Sequence, residues 1–241
     1  MRVAIYEGRM GASGDPLQVV LAAHAGAEAL DWLSARLPRA DDPGVRAAFF
    51  AAFAGAQRRF GRALPMLSHA ERSELHAAGI VEPASFALTD LARARLLRAA
   101  CAALPASEHM ALVAEVLRKG DNGERVALLR ALPLLPDPAR FTELAIDACR
   151  THVLDVFAAI ACDNPFPARY FPEPSFNQLV IKTLFVELPL ARVLGWSERA
   201  NPELVRMASD YEAERRAAGR SVPADIALIR ALPQNKTESP S

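Results

Sequence analysis

Apolar and polar positions follow one another along most of the chain with the period of an α-helix. Apolar residues recur three or four positions apart, as in Val126, Leu129 and Leu132, and this spacing places them on one helix face. The pattern gives roughly a dozen helical blocks separated by short links. They include residues 43–62, 90–103, 107–118, 122–132, 138–149 and 152–161.

Short links between helices of this length favour antiparallel neighbours. The sequence therefore predicts an all-α protein in which antiparallel helical hairpins stack as a HEAT-like α-solenoid. An irregular helical bundle is the alternative, because no sharp repeat period is visible.

Local signals mark where several of these helices begin and end. A capping residue followed by proline is typical of a helix start, and it occurs at Asp15, Asp42, Asp137 and Asn201. Ser68 and Glu71 have the spacing of a capping box. Gly219, followed by Pro223, predicts a helix end.

The chain is predicted to hold one domain. Residues 1–14 are interpreted as a flexible leader, because a short apolar run is followed by glycines. Residues 15–232 form the single all-helical domain, and the polar residues 233–241 are interpreted as a disordered tail.

Composition supports helix and excludes some functions. Alanine, the best helix former, occurs 48 times in 241 residues. The 28 basic residues balance the 28 acidic ones, whereas a nucleic-acid-binding protein would carry a basic excess. No stretch has the composition of a membrane span or a secretory signal, so we expect a cytoplasmic protein.

No motif typical of a catalytic or metal site stands out, so no catalytic residue, metal or cofactor is predicted. His69 and His76 are seven residues apart, whereas metal-binding pairs on helices usually lie four apart. The three cysteines, Cys101, Cys149 and Cys162, contain no CxxC pair and are interpreted as buried thiols.

The segment that follows Asp163 is less ordinary. A helix predicted over residues 176–188 is apolar nearly all round, which indicates burial. Lys182 on such a helix must pair with an acidic residue, reach solvent or line a cavity. The functional hypothesis is that Asn177, Gln178 and Lys182 project into a polar pocket.

The second half of the chain resembles the EboA family. The resemblance rests on DNGERVALLRALPLLPDPARF (121–141), on DNPFP (163–167), on FNQLVIKTLFVELPL (176–190) and on RANPELVRMASDYEAERRAAGRSVP (199–223). It is specific over about residues 120–230, and the segment 163–223 is the most typical part. It continues more loosely back to about residue 30.

The resemblance implies a cytoplasmic accessory protein of the bacterial ebo gene cluster, which also encodes a UbiA-type membrane prenyltransferase. The cluster is associated with the export of secondary-metabolite precursors. The expected role is a non-catalytic adaptor or carrier, and the expected partners are other cluster proteins, that prenyltransferase among them, and a small-molecule metabolite. The alternative is an enzyme that modifies an isoprenoid-like or aromatic precursor in a pocket around Lys182, with a carboxylate such as Glu203.

The family motif carries over as residues without assigned roles. The candidates for ligand or partner binding are Asn164, Asn177, Gln178, Lys182, Arg199, Asn201, Glu203, Tyr211 and Arg215.

Overall fold

The computed structural model describes residues 14–40, 42 and 44–231. This part of the chain contains α-helices and short 3-10 helices and no strand, which confirms the all-α prediction. No helix in it is both long and apolar enough to cross a membrane. The predicted tail and all of the predicted leader except Gly14 lie outside the described residues.

Contacts divide the described chain between Ile160 and Ala161 into two compact units. The first unit holds α1 (Pro16–His24), α2 (Ala27–Ser34), α3 (Val45–Phe60), α4 (His69–Ala77), α5 (Leu88–Ala103), α6 (Ala106–Lys119), α7 (Asn122–Ala131), α8 (Thr142–Ala148) and α9 (Leu154–Ala161), the last ending at the boundary. The second unit holds α10 (Pro165–Tyr170), α11 (Glu173–Phe185), α12 (Pro202–Ala217) and α13 (Ile226–Arg230). The single domain over residues 15–232 stays a prediction.

The first unit is organised around α5. This helix packs against α1, α3 and α7, and its buried side chains point in nearly every direction around the axis. A helix that is buried all round lies at the centre of a bundle. The HEAT-like solenoid is not confirmed, and the packing of this unit is consistent with the alternative, an irregular helical bundle.

Three of the predicted caps are confirmed. The Asp15 carboxylate accepts from the Leu17 N–H at 3.1 Å, and the Asn201 side chain accepts from the Leu204 N–H at 2.9 Å. Ser68 and Glu71 exchange both bonds of a capping box. In addition, α12 ends at Ala217 and Gly219 follows with a left-handed φ of 63°, as the helix-end signal predicted.

Two predicted caps are wrong. The Asp42 carboxylate accepts from the Arg39 N–H, and Gly44 occupies the N-cap of α3. Asp137 precedes the 3-10 helix Pro138–Phe141, but its side chain binds Arg140 instead of a backbone N–H. In both cases another donor satisfies the carboxylate, so a capping residue before proline does not fix the cap.

In the second unit α11 packs against α12, and α12 packs against α13. The helix predicted over residues 176–188 begins at Glu173 and ends at Phe185. The prediction that it is buried all round is wrong, because Gln178 is exposed and Phe185 is 61% exposed. Phe176, Leu179, Val180 and Leu184 form the buried face instead.

Gly195 allows a close approach of two chain segments in the second unit. Its φ is 74°, and a Cβ built on it would lie 2.9 Å from the Cβ of Ala168. We expect Gly195→Ala to lower the free energy of unfolding of this unit by about 2 kcal/mol, because it adds both backbone strain and steric overlap. Urea unfolding followed by the fluorescence of Trp196 in a Trp32→Phe background measures this change.

Gly219→Ala is the matched control for Gly195→Ala. Gly219 has a similar φ of 63°, but nothing lies within 4 Å of a Cβ built on it. It therefore carries the backbone strain alone, about 1 kcal/mol. Equal losses for the two variants would show that the contact with Ala168 costs nothing.

Candidate functional site

Asn177 and Asn201 form a reciprocal amide pair between α11 and the start of α12. The Asn177 Nδ2 donates to Asn201 Oδ1 at 3.1 Å, and the Asn201 Nδ2 donates to Asn177 Oδ1 at 3.0 Å. Asn201 also caps α12 and donates to the Arg199 carbonyl. Asn177 is almost completely buried, so the pair satisfies polar groups that would be costly to bury alone.

Arg199 closes the C-terminal end of α10. Its guanidinium donates to three backbone carbonyls, those of Pro167, Ala168 and Phe171, at 2.7–3.1 Å. The guanidinium carbon lies 4.2 Å from the centre of the Phe176 ring, within the range of a cation–π contact. Burial lowers the pKa of Arg199, and the charge of Glu173 opposes that shift.

Asn164 holds the other end of the same helix. Its Oδ1 accepts from the Phe166 N–H at 3.0 Å, and the residue is buried. Asn164, Asn177, Arg199 and Asn201 therefore make hydrogen bonds within the second unit that fix α10 and the start of α12.

Three further predicted residues do not join this set. Gln178 is exposed and Lys182 is partly exposed. Both oxygens of the Glu203 carboxylate accept from the Arg206 guanidinium, at 2.6 and 2.8 Å, and half of the Glu203 side chain is exposed. The hydrogen bond from Arg206 lowers the pKa of Glu203. Asn177 is therefore buried and belongs to the hydrogen-bonded set, whereas Gln178, the next residue in the chain, is exposed.

Tyr211 and Arg215 lie one turn apart on α12. Tyr211 is only 9% exposed, and its ring centre lies 6.3 Å from that of Phe185. The Tyr211 hydroxyl is buried and has no hydrogen-bond partner among the described residues. The Arg215 guanidinium carbon lies 5.9 Å from the centre of the Tyr211 ring.

The Arg215 side chain contacts both Tyr211 and residues that line an open cleft of the second unit. The cleft has a volume of about 470 Å³. One wall consists of Leu184 and residues 187–189, and the other consists of residues 221–225. Arg215 connects the walls, because its Nε donates to the Ser221 carbonyl at 2.8 Å and its Nη2 lies 3.7 Å from Glu187 Oε1.

Local backbone geometry positions the two carboxylates of the cleft. Glu187 has a left-handed φ of 58° and follows the last turn of α11, where its N–H donates to the Leu184 carbonyl. This geometry is typical of a Schellman-type helix end. On the other wall, Asp225 Oδ2 accepts from the Leu190 N–H at 2.8 Å.

Sequence reasoning missed Glu187, Ser221 and Asp225. One signal was available, because Pro189 disfavours helical backbone at Leu188 and thereby marks a helix end near Glu187. Nothing in the sequence indicates that residues 221–225 form the facing wall. That contact depends on the folded position of Arg215.

The cysteines and the possible metal ligands of the described residues do not form a second candidate site. Burial raises the pKa of the Cys101 thiol to about 11 and also raises that of Cys162, so neither is an activated nucleophile. Cys149 is only partly buried, unlike the other two cysteines. Within residues 14–40, 42 and 44–231, no group of three or more His, Cys, Asp and Glu side chains could hold a metal ion.

A family model for the metabolite traffic protein EboA matches residues 14–230. The chain belongs to the EboA family. The EboA match includes the cleft and all nine predicted binding candidates, and it begins earlier than the resemblance read from the sequence. The family description places this EboA chain among proteins of metabolite traffic. No curated protein and no solved structure matches it.

Proposed function

We propose that this EboA protein is a cytoplasmic, non-catalytic carrier or adaptor that moves a secondary-metabolite precursor towards export. It acts with other proteins of the ebo cluster, the UbiA-type membrane prenyltransferase among them. The observation that supports binding of a small molecule is the cleft between residues 184–189 and 221–225. Its volume lies in the range of ligand-binding pockets.

The chemistry of the cleft favours binding over catalysis. Ser221 is its hydroxyl-bearing residue, and the Ser221 Oγ contacts the Arg215 guanidinium at 3.4 Å. A serine nucleophile needs a base that accepts its proton. A guanidinium cannot act as one, and neither carboxylate of the cleft, Glu187 or Asp225, is hydrogen-bonded to the Ser221 Oγ. The carboxylates of Glu187 and Asp225 can still orient a ligand by accepting hydrogen bonds.

The proposal is tested by native mass spectrometry of the protein purified gently from its own host. We expect the mass of the native protein to exceed that of the denatured protein by the mass of a bound small molecule. Ala224→Trp places a large ring in the cleft, because Ala224 lines it and is exposed. We expect this variant to lose the molecule and to reduce export of the cluster product.

Ala102→Trp is the control for Ala224→Trp. Ala102 is exposed on α5 of the first unit, so the same substitution there should leave the retained molecule and the export unchanged. A carrier role is contradicted if Ala224→Trp exports as much product as the wild type. In that case, if the Ala224→Trp variant still co-purifies with the prenyltransferase, this result would support an adaptor role.

The alternative is an enzyme that modifies an isoprenoid-like or aromatic precursor around Lys182. The observation that favours it is that Lys182 lies partly exposed on α11, within the family match. Under this alternative, Lys182→Ala abolishes pathway function and leaves the melting temperature nearly unchanged. Wild-type product formation by the variant would exclude it.

A further inference from the structure

We propose that the cleft of the second unit binds a small molecule that carries a protonated amine on an apolar body. This inference rests on the proposed carrier function and names the class of its ligand. It is drawn from three features: the apolar side chains of the cleft, its two carboxylates, and the Arg215 guanidinium, whose Nε and Nη2 already donate hydrogen bonds to Ser221.

The apolar body has contacts on both walls. Leu184, Leu188 and Pro189 line one wall, and Val222 and Pro223 line the other. Leu184 is almost fully buried, whereas Pro189 is exposed, so the apolar surface runs from the floor to the rim. Removing an apolar ring from water against such surface is the general source of affinity in pockets of this kind.

The two carboxylates retain free acceptor capacity. Asp225 Oδ2 binds the Leu190 N–H, and Asp225 Oδ1 makes no hydrogen bond to any described residue. The Glu187 carboxylate also makes no hydrogen bond to any described residue, and the Arg215 Nη2 lies 3.7 Å from its Oε1. Glu187 and Asp225 both line the cleft, on different walls, so an ammonium group bound in the cleft is attracted by both carboxylates.

The positive charge of Arg215 does not cancel this preference. Its Nε donates to the Ser221 carbonyl and its Nη2 to the Ser221 hydroxyl. Counted over the residues that line the cleft together with Arg215, one guanidinium and two carboxylates leave a net charge of −1, and the C-terminal end of α11 adds negative partial charge. The neighbouring Arg216 and Arg230 are both bound to Glu212.

These charges discriminate among ligands with the same apolar body. A protonated amine is attracted, a neutral alcohol gains only a hydrogen bond, and a carboxylate meets two like charges. The order of affinity is therefore cation, then neutral molecule, then anion.

Three indoles of similar size test this order: tryptamine, tryptophol and indole-3-propionate. The full chain, labelled with ¹⁵N, is titrated with each at pH 7, and the amide shifts of the non-proline residues among 184–190 and 221–225 report binding. We expect tryptamine to bind about tenfold more tightly than tryptophol, and indole-3-propionate to bind most weakly. Sodium chloride should weaken tryptamine binding and leave tryptophol binding nearly unchanged.

The variant Glu187→Gln/Asp225→Asn removes both charges and conserves side-chain shape. The side-chain carbonyl that Asp225→Asn introduces can still accept from the Leu190 N–H, so the fold should be retained. We expect tryptamine to lose about tenfold in affinity and tryptophol to be nearly unaffected. Glu214→Gln is the control, because Glu214 is exposed on α12 outside the cleft, and it should change neither affinity.

Two results would overturn the inference. One is equal or tighter binding of tryptophol or indole-3-propionate at the cleft amides. The other is a double variant that binds tryptamine as well as the wild type. The carrier function is tested separately by the molecule retained from the host, so a retained anion or neutral compound would overturn the amine and leave the carrier intact.

Discussion

Replacing Arg93 with alanine is expected to lower the free energy of unfolding of the first unit by about 3–5 kcal/mol. Arg93 is 2% exposed and lies on α5, where its Nε donates to the Phe53 carbonyl at 3.0 Å. Its Nη2 lies 3.9 Å from Glu124, and its guanidinium stacks on the Phe53 ring. Burial lowers the pKa of Arg93, while the charges of Glu124 and Asp121 oppose that shift.

The loss has two physical causes. Alanine leaves a cavity at the centre of the unit, and it leaves the Phe53 carbonyl and the partly buried Glu124 carboxylate without their cation. Arg93→Met separates the causes, because methionine fills most of the volume and still packs on Phe53. We expect Arg93→Met to lose clearly less than Arg93→Ala.

The measurement uses the fact that each unit contains one tryptophan, Trp32 in the first and Trp196 in the second. In a Trp196→Phe background, urea unfolding followed by Trp32 fluorescence reports the first unit. Arg150→Ala is the control, because 80% of that side chain is exposed and it pairs only loosely with Asp147 at 3.6 Å; its loss should stay below about 0.5 kcal/mol. A loss below about 1 kcal/mol for Arg93→Ala would refute the argument.

The same arginine shows why the sequence predicts helices better than their packing. The run LARARLLRAACAA contains Arg93, Arg95 and Arg98, and a local pattern cannot tell which one is buried. Arg95 and Arg98 both bind Asp15, about eighty residues away in the chain. Helix positions follow from period and caps, which are local, whereas the central place of α5 depends on such distant contacts.

The candidate site also combines local contacts, which the sequence predicts, with contacts between distant residues, which it does not. The cap by Asn201 could be predicted because it involves residues three apart, but its amide partner Asn177 is 24 residues away. The helical wheel places Gln178 on the same face as Lys182, and its selection as a pocket residue also assumes that the helix is buried all round, which α11 is not. The wall formed by residues 221–225 could not be predicted, because loop residues carry no periodic signal.

Replacing Arg199 with alanine is expected to cost the second unit about 3–4 kcal/mol. The carbonyls of Pro167, Ala168 and Phe171 would lose their shared donor. A six-residue helix such as α10 has almost no intrinsic stability, so its C-terminal end depends on this contact. The stacking of the guanidinium on the Phe176 ring would be lost as well.

Arg199→Lys distinguishes the geometry from the charge. An ammonium group has the same charge, but it cannot present the planar fork that reaches three carbonyls. We therefore expect the lysine variant to recover less than half of the loss. Full recovery would mean that charge alone stabilises this end of α10.

Trp196 fluorescence in a Trp32→Phe background reports the second unit. Arg206→Ala is the matched control, since Arg206 is 60% exposed and its ion pairs with described residues are those with the surface carboxylates Glu203 and Asp210; it should cost at most about 1 kcal/mol. The cleft amides should still respond to tryptamine in the folded fraction of Arg199→Ala, because Arg199 does not line the cleft. A variant of normal stability that no longer binds the amine would instead make Arg199 a ligand contact, and its three carbonyl bonds would then contribute little to the fold.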